Sequence, residues 1–153
     1  MKQLALGLAA AVLVLDQLTK WIMVRVITEN GYFIEVTGFF NLVLVHNTGV
    51  SFGFLGTLPA WVLIVVSLAI VVGLSIWLVR QDRRLPTIGI GLVIGGALGN
   101  VIDRLHAPGV IDFLDFHVAG YHWPAFNVAD AAITIGIGII LFDSLFLDRE
   151  QCT

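Results

Sequence analysis

Four stretches of this chain are long and apolar enough to cross a lipid bilayer. No other feature constrains the fold as strongly. They run from Leu4 to about Val26, from about Leu58 to Val79, from about Leu85 to Ile102, and from about Asn127 to Leu147. Crossing a hydrocarbon core of about 30 Å takes about 20 mostly apolar helical residues, each rising about 1.5 Å. All four are apolar around their whole circumference, which suits lipid rather than a water-facing surface. Composition agrees: the 153 residues are 58% hydrophobic and 12% charged, with a mean hydropathy of +0.97. A soluble domain is about 45–50% apolar and about 25% charged, so here too little polar surface remains to cover a globule in water. Disorder needs low hydrophobicity and is excluded. A formal charge of −3, from 8 basic and 11 acidic residues, argues against a nucleic-acid partner. A single cysteine, Cys152, rules out an internal disulfide framework and a Cys-rich zinc site. The expectation is one integral membrane domain over residues 1–153, all-α in its membrane part, with four transmembrane helices.

Lys and Arg placement sets the expected orientation. With both termini in the cytoplasm, Lys2, Arg80, Arg83, Arg84 and Arg149 lie inside. Lys20, Arg25 and Arg104 then fall near the outer helix ends, where Asp16 and Asp103 stand close to two of them in sequence. The N-terminus resembles a cleavable signal, with Lys2 before an apolar run and Ala9-Ala10-Ala11 after it. That run is too short before the alanines and continues past them to Leu15, so the segment reads as a retained span. The first outer loop, about Ile27 to Thr57, holds β-branched and aromatic runs on either side of Gly38, from Phe33 to Thr37 and from Phe39 to His46. This pattern predicts a strand pair forming a small extracytoplasmic sheet. The second outer loop, about Leu105 to Phe126, is rich in His, Asp and aromatics.

Ionisable groups inside spans cost about 2.5–3.5 kcal/mol each at the bilayer centre on insertion scales, so those present need a reason. They gather at the outer helix ends. Asp16 and Lys20 are four residues apart on one helix face, suited to a self-neutralising ion pair. Asn100, Asp103 and Arg104 share a face by spacing, and the buried amide of Asn100 must find a partner. Gly91, Gly95 and Gly99 recur every four residues and read as a stripe for close helix packing. Asp130, with Asn127 one turn earlier, fits a helix-start cap as well as a functional group. Asp112 alone is a weaker signal. Function is suggested by their joint placement at one membrane face, in apolar surroundings, with no Lys or Arg adjacent in sequence.

His46, His106, His117 and His122 match no zinc spacing, and no metal or other cofactor is expected. No serine elbow, phosphate loop or dinucleotide fingerprint occurs, and Cys152 lies in the tail, so serine or cysteine catalysis has little support.

Five segments together resemble lipoprotein signal peptidase, the bacterial type II signal peptidase. They are Asp16-Gln17-Leu18-Thr19-Lys20, Asn47-Thr48-Gly49-Val50-Ser51-Phe52, Gly99-Asn100-Val101-Ile102-Asp103-Arg104, Val110-Ile111-Asp112-Phe113 and Phe126-Asn127-Val128-Ala129-Asp130. They occur in the family's order over nearly the whole chain. The resemblance implies an aspartyl endopeptidase of the bacterial inner membrane whose catalytic pair falls on Asp112 and Asp130. Its substrate would be a diacylglyceryl-modified prolipoprotein, cut on the amino side of the lipidated cysteine. Asp16, Lys20, Asn47, Asn100, Asp103, Arg104 and Asn127 match the other motif positions, which shape or support the site. The outer sheet would cradle substrate, membrane lipid would be the remaining partner, and the protein would act as a monomer. The segment from about Phe54 to Pro59 is short for the periplasmic helix many members carry.

Two neighbouring carboxyls resist ionising together, so such a pair shares one proton and titrates as a unit. One member then draws a proton from water while the other polarises the scissile carbonyl. Two rival readings use the same residues. A transporter or channel would explain charges in spans, but it needs polar groups through the full depth, and spans two to four read as apolar in their inner halves. A packing scaffold would use the glycine stripe and the sheet, yet gives no reason for the outer polar cluster.

Overall fold

The computed structural model describes residues 1–49, 58–107 and 109–147. Val50, Ser51, the stretch from Phe54 to Thr57, Arg149 and Cys152 lie outside the described residues. Within them, each apolar run is a helix: α1 (Lys2–Glu29), α2 (Ala60–Val79), α3 (Arg84–His106) and α4 (Val128–Phe142), which continues as a π-helical turn over Asp143–Leu147. Two helices outrun their apolar stretches. α1 extends past Val26 until Asn30 donates its amide to the Val26 carbonyl, and Gly31 and Tyr32 turn the chain at positive φ. α3 carries Asp103 and Arg104 inside its last turns, because Asp103 meets a buried cation rather than lipid.

α3 occupies the middle of the bundle. In its most apolar window 72% of residues are buried, against 11% for α2, so α3 packs mostly against protein while α2 leaves most of its apolar surface on the outside of the bundle. Glycines make this possible by letting backbones approach. A Cβ on Gly91 or Gly95 would stand 2.7 Å from the Ala5 carbonyl oxygen or 2.6 Å from that of Ala9, both on α1. A Cβ on Gly89 or Gly96 would stand 2.7 Å from the Gly136 oxygen or 2.5 Å from that of Ala129, both on α4. The expected stripe is therefore the α1 face of α3, and a second glycine face meets α4. Ala5, Ala9, Leu78, Ile90 and Ile94 form a core near the other end of the bundle. Beside it Arg83 pairs with the buried Asp143 at 2.9 Å. The inner part of the fourth span is thus not wholly apolar as expected, and Arg83 is an ion-pair partner as well as a positive loop residue.

The first loop forms the expected strand pair, β1 (Phe33–Thr37) and β2 (Phe40–Asn47). The second loop adds β3 (Val110–Val118) and β4 (Tyr121–His122), giving one antiparallel sheet in the order β1-β2-β3-β4. Asn41 faces Asp115 and Val45 faces Asp112 across β2 and β3. Asn41 Nδ2 donates to Asp115 Oδ2 at 2.8 Å, and His122 Nδ1 lies 2.9 Å from the same carboxyl, tying β2, β3 and β4 together. Burial pushes the Asp115 carboxyl up, but these hydrogen bonds outweigh it and hold it below the ordinary carboxylate range. The β3–β4 turn places Ala119 and Gly120 at φ 51° and 81°, the pair of positive values a tight primed hairpin requires. Pairing β2 with β3 joins the two loops over one end of the bundle and brings Asn47 beside Asp112.

Candidate active site

At the sheet end, Asp112 on β3 and Asp130 in the first turn of α4 come together through two asparagines. Asn127 is the N-cap of α4, and its Oδ1 accepts the Asp130 backbone N–H at 2.9 Å. With its oxygen occupied by the helix start, its Nδ2 turns to Asp112 Oδ1 at 2.7 Å. The same nitrogen lies 3.4 Å from Asn100 Oδ1. Asn100, on α3, donates its own Nδ2 to Asp130 Oδ1 at 2.8 Å. Asn47, at the end of β2, donates to Asp112 Oδ2 at 3.0 Å. Asp130 is both a capped helix-start residue, through its backbone, and a side chain held by Asn100.

Asp112 is buried, whereas Asp130 is half-buried and open to two cavities. Burial pushes the Asp112 carboxyl up to about 6, and the charge of Asp130 pushes the same way. Hydrogen bonds from Asn47 and Asn127 and the Lys20 charge offset part of that rise.

Of the remaining expected residues, Asp16, Lys20 and Asp103 form a buried ionic triad behind the pair. Lys20 Nζ lies 2.8 Å from Asp16 Oδ2 and 2.8 Å from Asp103 Oδ2. Of the face expected to hold Asn100, Asp103 and Arg104, Asn100 and Arg104 stay together and Asp103 departs. Asp103 turns toward α1, whereas Arg104 lines a cavity that α2 and α4 also line. Residues three and four apart on one helix lie within a turn, but each side chain follows its own neighbour. Sequence reasoning passed over Gln17, whose Nε2 donates to Asp103 Oδ1 at 2.9 Å and to the Gly99 carbonyl at 3.2 Å. Its signal was its place inside the Asp16–Lys20 segment, on a helix face already carrying two charges.

The first cavity, about 420 Å³, is lined by Leu63, Val66 and Ile70 of α2 and Ile133 and Ile137 of α4, and it reaches Asn47, Asn100, Arg104 and Asp130. A second, about 410 Å³, lies along α4 under Trp123 and Phe126 and also touches Asp130. Two mainly apolar grooves therefore converge on one carboxyl.

A family profile described as Signal peptidase (SPase) II matches residues 8–146. A lipoprotein signal peptidase of Cupriavidus necator (strain ATCC 17699) is 49% identical over 144 residues, covering 92% of this chain and 82% of that protein. One from Azoarcus sp. (strain BH72) is 49% identical over 153 residues, covering 95% and 85%. A bacterial membrane enzyme solved by the in meso method superposes with a TM-score of 0.80 at 30% identity, covering 97% of this chain and 91% of that one.

Proposed function

The chain belongs to the signal peptidase II family, and on that premise we propose that it is an aspartic endopeptidase removing signal peptides from diacylglyceryl-modified prolipoproteins. The observation that carries this reading is the placement of Asp112 and Asp130 at one end of the bundle, each accepting a hydrogen bond from one of two mutually adjacent asparagine amides. Asp112 and Asp130 hold one proton between them. The ionised carboxyl takes a proton from water, which attacks the scissile carbonyl on the amino side of the lipidated cysteine. The protonated carboxyl polarises that carbonyl and later protonates the leaving amine. Asn47, Asn100 and Asn127 orient the pair, and Arg104 stands in the groove where charge develops on the substrate oxygen. Asp16, Lys20 and Asp103 support the site from behind.

The grooves suit this substrate. A signal helix and a diacylglyceryl group are two apolar arms meeting at one peptide bond, and two apolar grooves meet at Asp130. Withdrawing the lipid from hydrocarbon costs about 0.8 kcal/mol per CH₂, so the bilayer itself holds the cleavage site in register. The sheet end faces the extracytoplasmic side of the inner membrane, both termini face the cytoplasm, and a monomer contains the whole site. Detergent-purified protein incubated with a diacylglyceryl-modified precursor and with its unmodified counterpart should shorten only the first. Equal cleavage of both would contradict the lipid requirement.

A further inference from the structure

Behind the proposed pair, the same contact is made twice. The Ile111 N–H, one residue before Asp112, donates to Asp103 Oδ2 at 3.1 Å. The Ala129 N–H, one residue before Asp130, donates to Asp16 Oδ1 at 2.9 Å. The receiving carboxylates belong to different helices, α3 and α1, and both are buried. Lys20 Nζ joins them, 2.8 Å from each. It also donates to Asn100 Oδ1 at 3.2 Å, which leaves the Asn100 amide N–H directed at Asp130. Gly99 makes room for this, since a Cβ there would stand 2.5 Å from Asp16 Oδ2.

We propose that Lys20 is a positioning residue, a crossbar that sets the spacing of Asp112 and Asp130 by joining the carboxylate gripping β3 to the carboxylate gripping α4. The proposal rests on the dyad reading and adds to it what fixes the dyad's geometry. Two carboxylates and one ammonium leave a net negative charge buried, which is a poor way to stabilise a fold. It is a good way to define a distance, because both backbone grips move with the ion that bridges them. Catalysis is steeply sensitive to such placement, and a misplacement of about 1 Å costs about 100-fold in rate.

The test uses the full chain in detergent with a diacylglyceryl-modified precursor, comparing Lys20→Met, Lys20→Arg and Asp112→Asn with the parent. Lys20→Met should lower kcat about 100-fold with KM within about twofold, and Lys20→Arg should recover part of the loss. The alkaline limb of the rate profile should also move to higher pH in Lys20→Met, because a charge favouring ionised Asp112 is gone. The limb reports the Lys20 charge in either case; a merely structural lysine would change yield and melting temperature but leave kcat per folded molecule at the pH optimum unchanged, and that result overturns the crossbar. An inactive Asp112→Asn beside a fully active Lys20→Met would refute the crossbar alone, whereas an active Asp112→Asn would refute the dyad. Should Lys20→Met fail to fold, the triple variant D16N/K20M/D103N decides. It removes the unpaired charges yet keeps an oxygen for each backbone N–H, so parental kcat overturns the proposal and a loss of about 100-fold supports it.

Discussion

Asp112 shows how much a residue's surroundings decide. Both its oxygens accept from asparagine amides, which favour the charged form, yet burial and the neighbouring Asp130 outweigh them and bring its titration to about 6. A carboxyl raised in this way gives up its proton as pH climbs through that value. In a shared-proton mechanism the pair then loses its acid. The kcat/KM profile of the free enzyme should therefore fall as pH rises through about 6. A profile that instead climbs steadily from pH 5 to 8 would contradict the shared proton. At this scale the sequence was informative about identity and silent about direction. Spacing paired Asp16 with Lys20 correctly, because four residues is one helical turn. It could not say that Asp16 also caps a helix more than a hundred residues away, or that Asn100 would be oriented by an ammonium. Those contacts depend on which helices become neighbours.

Elements were more legible than contacts. Length and hydropathy located four helices, and β-branched and aromatic runs on either side of Gly38 located β1 and β2. Joining β3 and β4 to the same sheet was not legible. Asp112 and Asp115 interrupt the apolar run of β3 and are tolerated because asparagines, and at Asp115 also His122, meet them. The glycines of α3 carry a prediction at this scale. Gly96→Ala drives a methyl against the Ala129 carbonyl at 2.5 Å and Ile133 Cγ1 at 2.8 Å, beside Asp130. Overpacking of this kind costs about 1–3 kcal/mol, so thermal unfolding in detergent should shift down and cleavage should weaken with it. Gly7→Ala on α1 has nothing within 4 Å and should be neutral or stabilising by up to about 1 kcal/mol. Equal melting temperatures for the two variants would mean that α3 and α4 are less closely packed than described.

The whole molecule divides its labour between the two ends of the helix bundle. One end holds an alanine, leucine and isoleucine core and the Arg83–Asp143 pair, which fasten the helices together. The other end holds the buried triad, the asparagines and the sheet, and both apolar grooves lead there. A conduit would spread polar groups between the two ends. Among the described residues the polar network of α1, α3 and α4 is instead concentrated at the sheet end, apart from the ion pair at the opposite one. This arrangement fits chemistry at one membrane face and does not fit passage through it.

If two carboxyls from separate elements act as one catalytic unit, removing either should stop the reaction. The deciding measurement is single-turnover cleavage of a diacylglyceryl-modified precursor by purified, folded Asp112→Asn and Asp130→Asn. Each variant should fall at least about 1,000-fold below the parent, within the range an acid–base group commands. If either retains more than about a tenth of the parental rate, the unit is not the one described.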